Sequence, residues 1–137
     1  MNAIDTNVLI YSVSADEPKL QSAAQSLLAK LDPAETVLLW QVLCEFGSVA
    51  SKLARKGLLS EDAATLQRTL RRQYQLVIPS AAVIELSIEI RNQHQVSYWD
   101  SLLVAACVDA GVARLYSQDV QSAPVIRGVE ITNPFPP

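Results

Sequence analysis

Asn2-Ala3-Ile4-Asp5-Thr6-Asn7-Val8-Leu9-Ile10 is the stretch on which the reading of this chain turns. A short apolar lead over residues 2–4 predicts a first strand, and Thr6 to about Tyr11 predicts a short helix. Asp5 stands where the strand hands over to the helix. In an open parallel sheet, the carboxyl ends of strands are where ligands bind. The same position also suits a plain N-cap that satisfies orphan backbone N–H groups. Asp5 alone does not separate the two readings. Three further acids in similar settings do more: Glu45, Asp100 and Asp119.

Outward from that junction, short apolar runs alternate with helical patterns. Asp16-Glu17-Pro18 opens a second helix, since acids and proline both suit a first turn. Leu20, Ala23, Ala24, Leu27, Leu28 and Leu31 then give it one apolar face. Val37-Leu38-Leu39-Trp40 predicts a buried parallel strand. Gln41 to about Lys56 predicts a third helix with Val42, Phe46, Val49, Ala50 and Leu53 inward, ended by Gly57. Ser60 is the expected cap of a fourth helix carrying Ala63, Leu66, Leu70 and Tyr74 inward. Leu76-Val77-Ile78 predicts a strand, and residues 80–93 a fifth helix ending near an exposed His94.

Ser97 is the expected cap of a sixth helix. Trp99, Leu102, Leu103, Ala106, Cys107 and Ala110 share one side of it, and Val104, Ala105 and Val108 make the other side apolar. A helix hydrophobic nearly all round is a buried one. Residues 113–117 predict a strand leading to Asp119, and Val129–Thr132 a last, edge strand. The Asn133-Pro134-Phe135-Pro136-Pro137 tail cannot continue a ladder and is expected to run extended. Alternating short strands and helices mean parallel βαβ units with right-handed crossovers, hence an α/β fold. No repeat or linker interrupts it, so one domain over 1–137 is expected.

Composition narrows the function. The chain has 137 residues, half of them hydrophobic and 18% charged, which suits one globular domain. A net charge of −3 argues against holding nucleic acid by bulk positive charge. It does not exclude a nuclease whose site needs carboxylates. Two cysteines, Cys44 and Cys107, and one histidine do not make a Cys/His zinc site. Both cysteines sit in apolar patterns and are expected to be buried, as suits a reducing cytosol. Asp5 and Asn7 interrupt any secretory signal, and no run approaches the roughly 20 apolar residues that span a bilayer.

Asp5 and Asp119 each follow a strand, while Glu45 and Asp100 lie in the first turns of helices, where the dipole favours carboxylates. Such an arrangement gathers four acids from distant segments into one cleft. Crowded carboxylates take up protons rather than all ionise. A hard dication removes that conflict, and Mg²⁺ or Mn²⁺ prefers such all-oxygen sites. The chemistry implied is metal-assisted hydrolysis of a phosphodiester. The chain has fourteen acids, so any four can be chosen. The telling feature is that Glu45 and Asp100 interrupt apolar contexts, where acids rarely lie without a partner.

The runs Asp5-Thr6-Asn7-Val8-Leu9, Gln41-Val42-Leu43-Cys44-Glu45-Phe46, Ser97-Tyr98-Trp99-Asp100-Ser101-Leu102 and Leu115-Tyr116-Ser117-Gln118-Asp119 together resemble the PIN domain. More narrowly, the chain is similar to the VapC-type toxins of toxin–antitoxin pairs, along essentially its whole length. The resemblance implies a three-layer fold with a short central parallel sheet flanked by helices. It implies a Mg²⁺- or Mn²⁺-dependent endoribonuclease, cytoplasmic, inhibited by a cognate antitoxin and commonly a homodimer. Asp5 and Asp100 would be the main metal ligands, with Glu45 and Asp119 completing the site. Thr6, Asn7 and Ser117 match polar positions that line it. A catalytically silent PIN-like RNA- or protein-binding module is the alternative, with intact acids against it. A haloacid-dehalogenase-like phosphatase is a weaker one, because Asn7 stands where its second Asp belongs.

Six of the eleven basic residues lie between 52 and 72: Lys52, Arg55, Lys56, Arg68, Arg71 and Arg72. If the third and fourth helices form a hairpin, these residues would be either a lip that positions RNA through its phosphates or a solvated helical face.

Overall fold

A computed structural model of the chain describes residues 1–120 and 123–137. The first strand, β1, is Asn2–Ile4, and α1 follows over Thr6–Val13. Then come α2 (Pro18–Lys30), a 3-10 turn, β2 (Thr36–Leu39), α3 (Trp40–Arg55) and α4 (Ala63–Gln73). The chain continues through β3 (Gln75–Val77), α5 (Ala82–Gln93), α6 (Tyr98–Asp109) and β4 (Arg114–Tyr116). It closes with β5 (Val125–Ile126) and β6 (Val129–Thr132).

The six strands form one sheet in the order β3-β2-β1-β4-β6-β5, parallel except for β5 against β6. Every residue of β2 is buried, on both faces of the strand, so helices cover the sheet on each side. This is the layered α/β arrangement expected. Its core is built from Leu9, Leu38, Leu39, Phe46, Ile90 and Leu115, all fully buried. α6 is buried nearly all round, with Ser101, Leu103, Val104, Ala105, Ala106 and Cys107 inside. Gly57 and Gly111 end α3 and α6 in the left-handed conformation that glycine adopts without strain.

Several expectations change. Val129–Thr132 is not the edge strand, because β5 lies outside it, reached back through Arg127-Gly128. Both turn residues have positive φ, 50° and 80°, as a tight two-residue hairpin requires. α4 starts later than Ser60 implies. Its cap is Asp62, whose carboxylate accepts from the Thr65 backbone N–H (2.8 Å) and hydroxyl (3.0 Å). The carboxylate has two acceptor oxygens to offer where a serine has one.

Cys107 is buried but Cys44 is exposed. The reason lies in the rows of α3, where residues four apart share a side. Val42, Phe46 and Ala50 face the core; Trp40, Cys44 and Ser48 face solvent. Val49 also lies outside the core, 36% exposed, in the row of Gln41 and Glu45. Trp99 is 63% exposed rather than inward. Because α6 is apolar on almost every side, its periodicity does not single out which aromatic turns away. His94 closes α5 and is half-buried, not exposed. The tail folds back so that Phe135 is buried, its ring edge-on to Tyr11 at 5.1 Å.

Candidate metal centre and its relatives

Asp5 is placed by strand β4 beside it and by the helix that it caps. Its backbone N–H donates to the Tyr116 carbonyl of β4 (2.9 Å), extending the β1–β4 ladder by one step. Its side chain then caps α1, accepting from the Thr6 N–H at 2.7 Å. The second carboxylate oxygen accepts from the Ser117 hydroxyl at 2.6 Å. The N-cap reading of Asp5 is therefore correct as far as it goes, and it leaves the carboxylate buried at the carboxyl end of β1.

Ser117 follows β4 and is buried. Its Oγ donates to Asp5 and accepts from the backbone N–H groups of Asp119 (3.1 Å) and Val120 (3.3 Å). One hydroxyl thus ties Asp5 to the loop that carries Asp119, an exposed residue on the rim. Glu45, in the second turn of α3, accepts from the Thr6 hydroxyl (3.1 Å) and from Gln41 Nε2 (3.1 Å). Gln41 also donates to the Trp99 carbonyl at 3.2 Å, joining the starts of α3 and α6. Asp100 sits in the first turn of α6, whose cap Ser97 accepts from the Asp100 N–H.

Thr6, Asn7, Ile10, Tyr11, Glu45, Val49 and Asp119 line a cleft of about 260 Å³. Tyr11 is held there by its hydroxyl, which donates to Gln118 Oε1 (3.2 Å). The side-chain nitrogen and oxygen of Asn7 are both buried with no hydrogen-bond partner among the described residues. Gln41 and Tyr11 were not singled out from the sequence. Gln41 was readable there, because it lies four residues before Glu45 on one helix, the spacing at which side chains meet. Tyr11 was not, since its place depends on the tail and on the loop after β4.

Electrostatics join the four acids. Burial pushes the Asp5 carboxyl from 3.8 up to about 6; hydrogen bonds from Ser117 and Thr6 pull it back, and the charges of Asp119 and Asp100 add to the rise. Asp100 is raised as well, first by burial and then by Asp119 and Glu45, while the nearby Ser97 hydroxyl opposes the rise. Asp5 and Asp100 therefore both feel other carboxylates across the same end of the sheet. Among the described residues, no three Asp, Glu, His or Cys side chains are already drawn together as a ligand cluster. The acids are neighbours, and they repel.

The donor set nevertheless suits a hard dication. It consists of carboxylates with hydroxyl and amide groups beside them, and contains neither thiolate nor imidazole. The Asn7 amide at the cleft wall, without a hydrogen-bond partner among the described residues, is a further polar group there. Arg55, Lys56, Arg68, Arg71 and Arg72 are all exposed. α3 and α4 do form a hairpin, with Gln67 of α4 donating to the Leu43 carbonyl of α3 at 3.0 Å. Arg55 lies ten residues beyond Glu45 in α3, which is about 15 Å along a helix.

The raised Asp5 value has a consequence for stability. The folded chain holds a proton on Asp5 up to about pH 6, whereas the unfolded chain releases it near 3.8. In the cation-free protein the contribution of Asp5 to stability should therefore be full in acid and fall by up to about 3 kcal/mol as pH rises through that window. Urea denaturation of the wild type and Asp5→Asn across pH 4–7 measures the difference. The two stability curves should diverge with a slope confined to that window; parallel curves would show that Asp5 titrates normally.

Comparison with known proteins bears on the family and the fold. The profile of the PIN domain family matches residues 3–123. No curated protein sequence matches significantly. Among solved structures, a toxin–antitoxin complex from Klebsiella pneumoniae superposes with a TM-score of 0.71 at 18% identity, covering 98% of each chain. VapC20 of Mycobacterium tuberculosis, a sarcin–ricin-loop-cleaving toxin, gives 0.69 at 20% identity over 88% of this chain and 92% of its own. VapBC2 from Rickettsia felis, bound to promoter DNA, gives 0.64 at 17% identity over 96% and 97%. At these identities the superpositions speak for the fold, and the family match, covering most of the chain, establishes membership: this protein belongs to the PIN domain family.

Proposed function

We propose that the chain is a divalent-metal-dependent endoribonuclease and the toxin of a toxin–antitoxin pair. The observation that carries the reading is the buried Asp5 carboxylate, pinned by Thr6 and Ser117 and charge-coupled to Asp100 and Asp119. Similarity to VapC20 and to toxin–antitoxin complexes supports the substrate class and the antitoxin partner. Asp5 and Asp100 would hold Mg²⁺ or Mn²⁺, with Glu45 and Asp119 completing the set. When bound, the cation supplies charge neutralisation and Lewis acidity toward phosphate oxygens.

The chain's own groups do the rest. Ser117 and Thr6 fix the Asp5 oxygens, and Ser117 also fixes the loop bearing Asp119. Glu45, oriented by Thr6 and Gln41, would complete the metal site or take a proton from an attacking water. The Asn7 amide offers a donor and an acceptor at the same wall. Outside the cleft, Ile78, Ile84 and Ile88 are exposed on and just before α5, and we assign this apolar face to a second copy of the chain in a two-fold pair.

Purified protein should cleave RNA with Mg²⁺ or Mn²⁺ and stop when EDTA is added. Asp5→Asn and Asp100→Asn should each lower the rate at least ~100-fold, and Ser117→Ala, which removes a supporting hydrogen bond, ~10- to 100-fold. Cleavage that survives EDTA or either Asp→Asn change would mean that another nuclease is responsible. Sedimentation of the same protein should give twice the chain mass, reduced to the single mass by Ile84→Asp; an unchanged mass would remove that face as the interface.

A further inference from the structure

Beside the acid cleft lies a second cavity, of about 490 Å³, lined by Trp40, Gln41, Cys44, Glu45 and Trp99. Its two indoles are unusually exposed for their type, at 48% and 63%. The Trp99 ring has a fixed neighbour. Trp99 meets Tyr98 edge-on at 5.1 Å, and Arg91 stacks over the Tyr98 ring at 4.6 Å. The Trp99 backbone is tied to α3 by Gln41. The Trp99 ring is therefore braced beside the void, with less side-chain freedom to lose when a ligand enters.

The lining selects among ligands. It contains no basic residue and one carboxylate, so it repels a phosphate. It offers two aromatic walls for a flat, uncharged ring. Gln41 spends its side-chain N–H groups on Glu45 and the Trp99 carbonyl, which leaves its Oε1 to accept from a ring edge. Position completes the case: Glu45 belongs to both cavities, and Trp99 immediately precedes Asp100 in α6. A strand whose phosphate sat at the acids would bring a neighbouring base to the indoles. We propose that the Trp40–Trp99 cavity is a nucleobase subsite, which takes one unstacked base flanking the phosphate to be cut and so restricts the enzyme to single-stranded or splayed RNA. The inference rests on the ribonuclease reading above.

These are the only two tryptophans in the chain, so tryptophan emission, excited selectively over tyrosine, reports on this cavity. Asp100→Asn protein with Mg²⁺ is titrated with a single-stranded oligoribonucleotide and with a fully abasic oligomer of the same length. The intact oligomer should quench the emission and bind about tenfold or more tightly than the abasic one. Trp99→Ala should abolish that preference, and Trp99→Phe should restore most of it. In the otherwise wild-type enzyme, Trp99→Ala should raise KM more than it lowers kcat. Equal binding of both oligomers with unchanged emission, in a protein whose wild type still cleaves RNA, overturns the subsite and leaves the nuclease standing. Emission that changes with protein concentration alone, and not with RNA, assigns the cavity to a second copy and also overturns it. A wild type that neither cleaves nor binds RNA overturns both readings.

Discussion

The hydrogen bond from Ser117 to Asp5 connects everything that makes this molecule more than a small α/β sheet. It spans 112 residues of chain and closes the gap between adjacent parallel strands at their carboxyl ends. On one side it fixes the carboxylate that also caps α1. On the other, the same Oγ gathers the backbone of the Asp119 loop. A group so placed pays for its burial with a raised affinity for protons, and the neighbouring acids increase that cost. The fold thus maintains a local electrostatic conflict that a bound dication would relieve.

The remaining architecture serves this arrangement by aiming helices. α1 and α6 present their first turns to the same end of the sheet, where partial positive charge offsets acids. α3 contributes three rows of different use. Val42, Phe46 and Ala50 anchor it, Gln41, Glu45 and Val49 look toward the acids, and Trp40 and Cys44 look outward. Because the first row is locked in the core, the other two are held with little freedom. Phe135 performs a similar service from the far end of the chain, bracing Tyr11 at the cleft wall.

Much of this was legible beforehand, and for definite reasons. Short apolar runs between amphipathic ones identify buried parallel strands, and an acid at a strand–helix junction signals a cap at the carboxyl end of the sheet. What escaped depends on information that periodicity does not hold. The hairpin at Arg127-Gly128 joins a strand of two residues, too short to carry an alternating pattern. The outward turn of Trp99 is invisible in a helix that is apolar all round. Ser60 is a cap by residue type, and only the pairing of Asp62 with Thr65 moves the start of α4 two residues on. The double role of Ser117 is a tertiary contact, and no local spacing announces it.

The electrostatic conflict at Asp5 can be observed atom by atom. Carboxyl-carbon chemical shifts of labelled protein, followed through pH 3–8 with and without Mg²⁺, report the titration of Asp5 and Asp100 individually. Without the cation, Asp5 should titrate near 6, well above its ordinary 3.8, and Mg²⁺ should drive both residues down together. An Asp5 that titrates near 3.8, and an Asp5 and Asp100 indifferent to Mg²⁺, would contradict a shared, cation-seeking acidic centre.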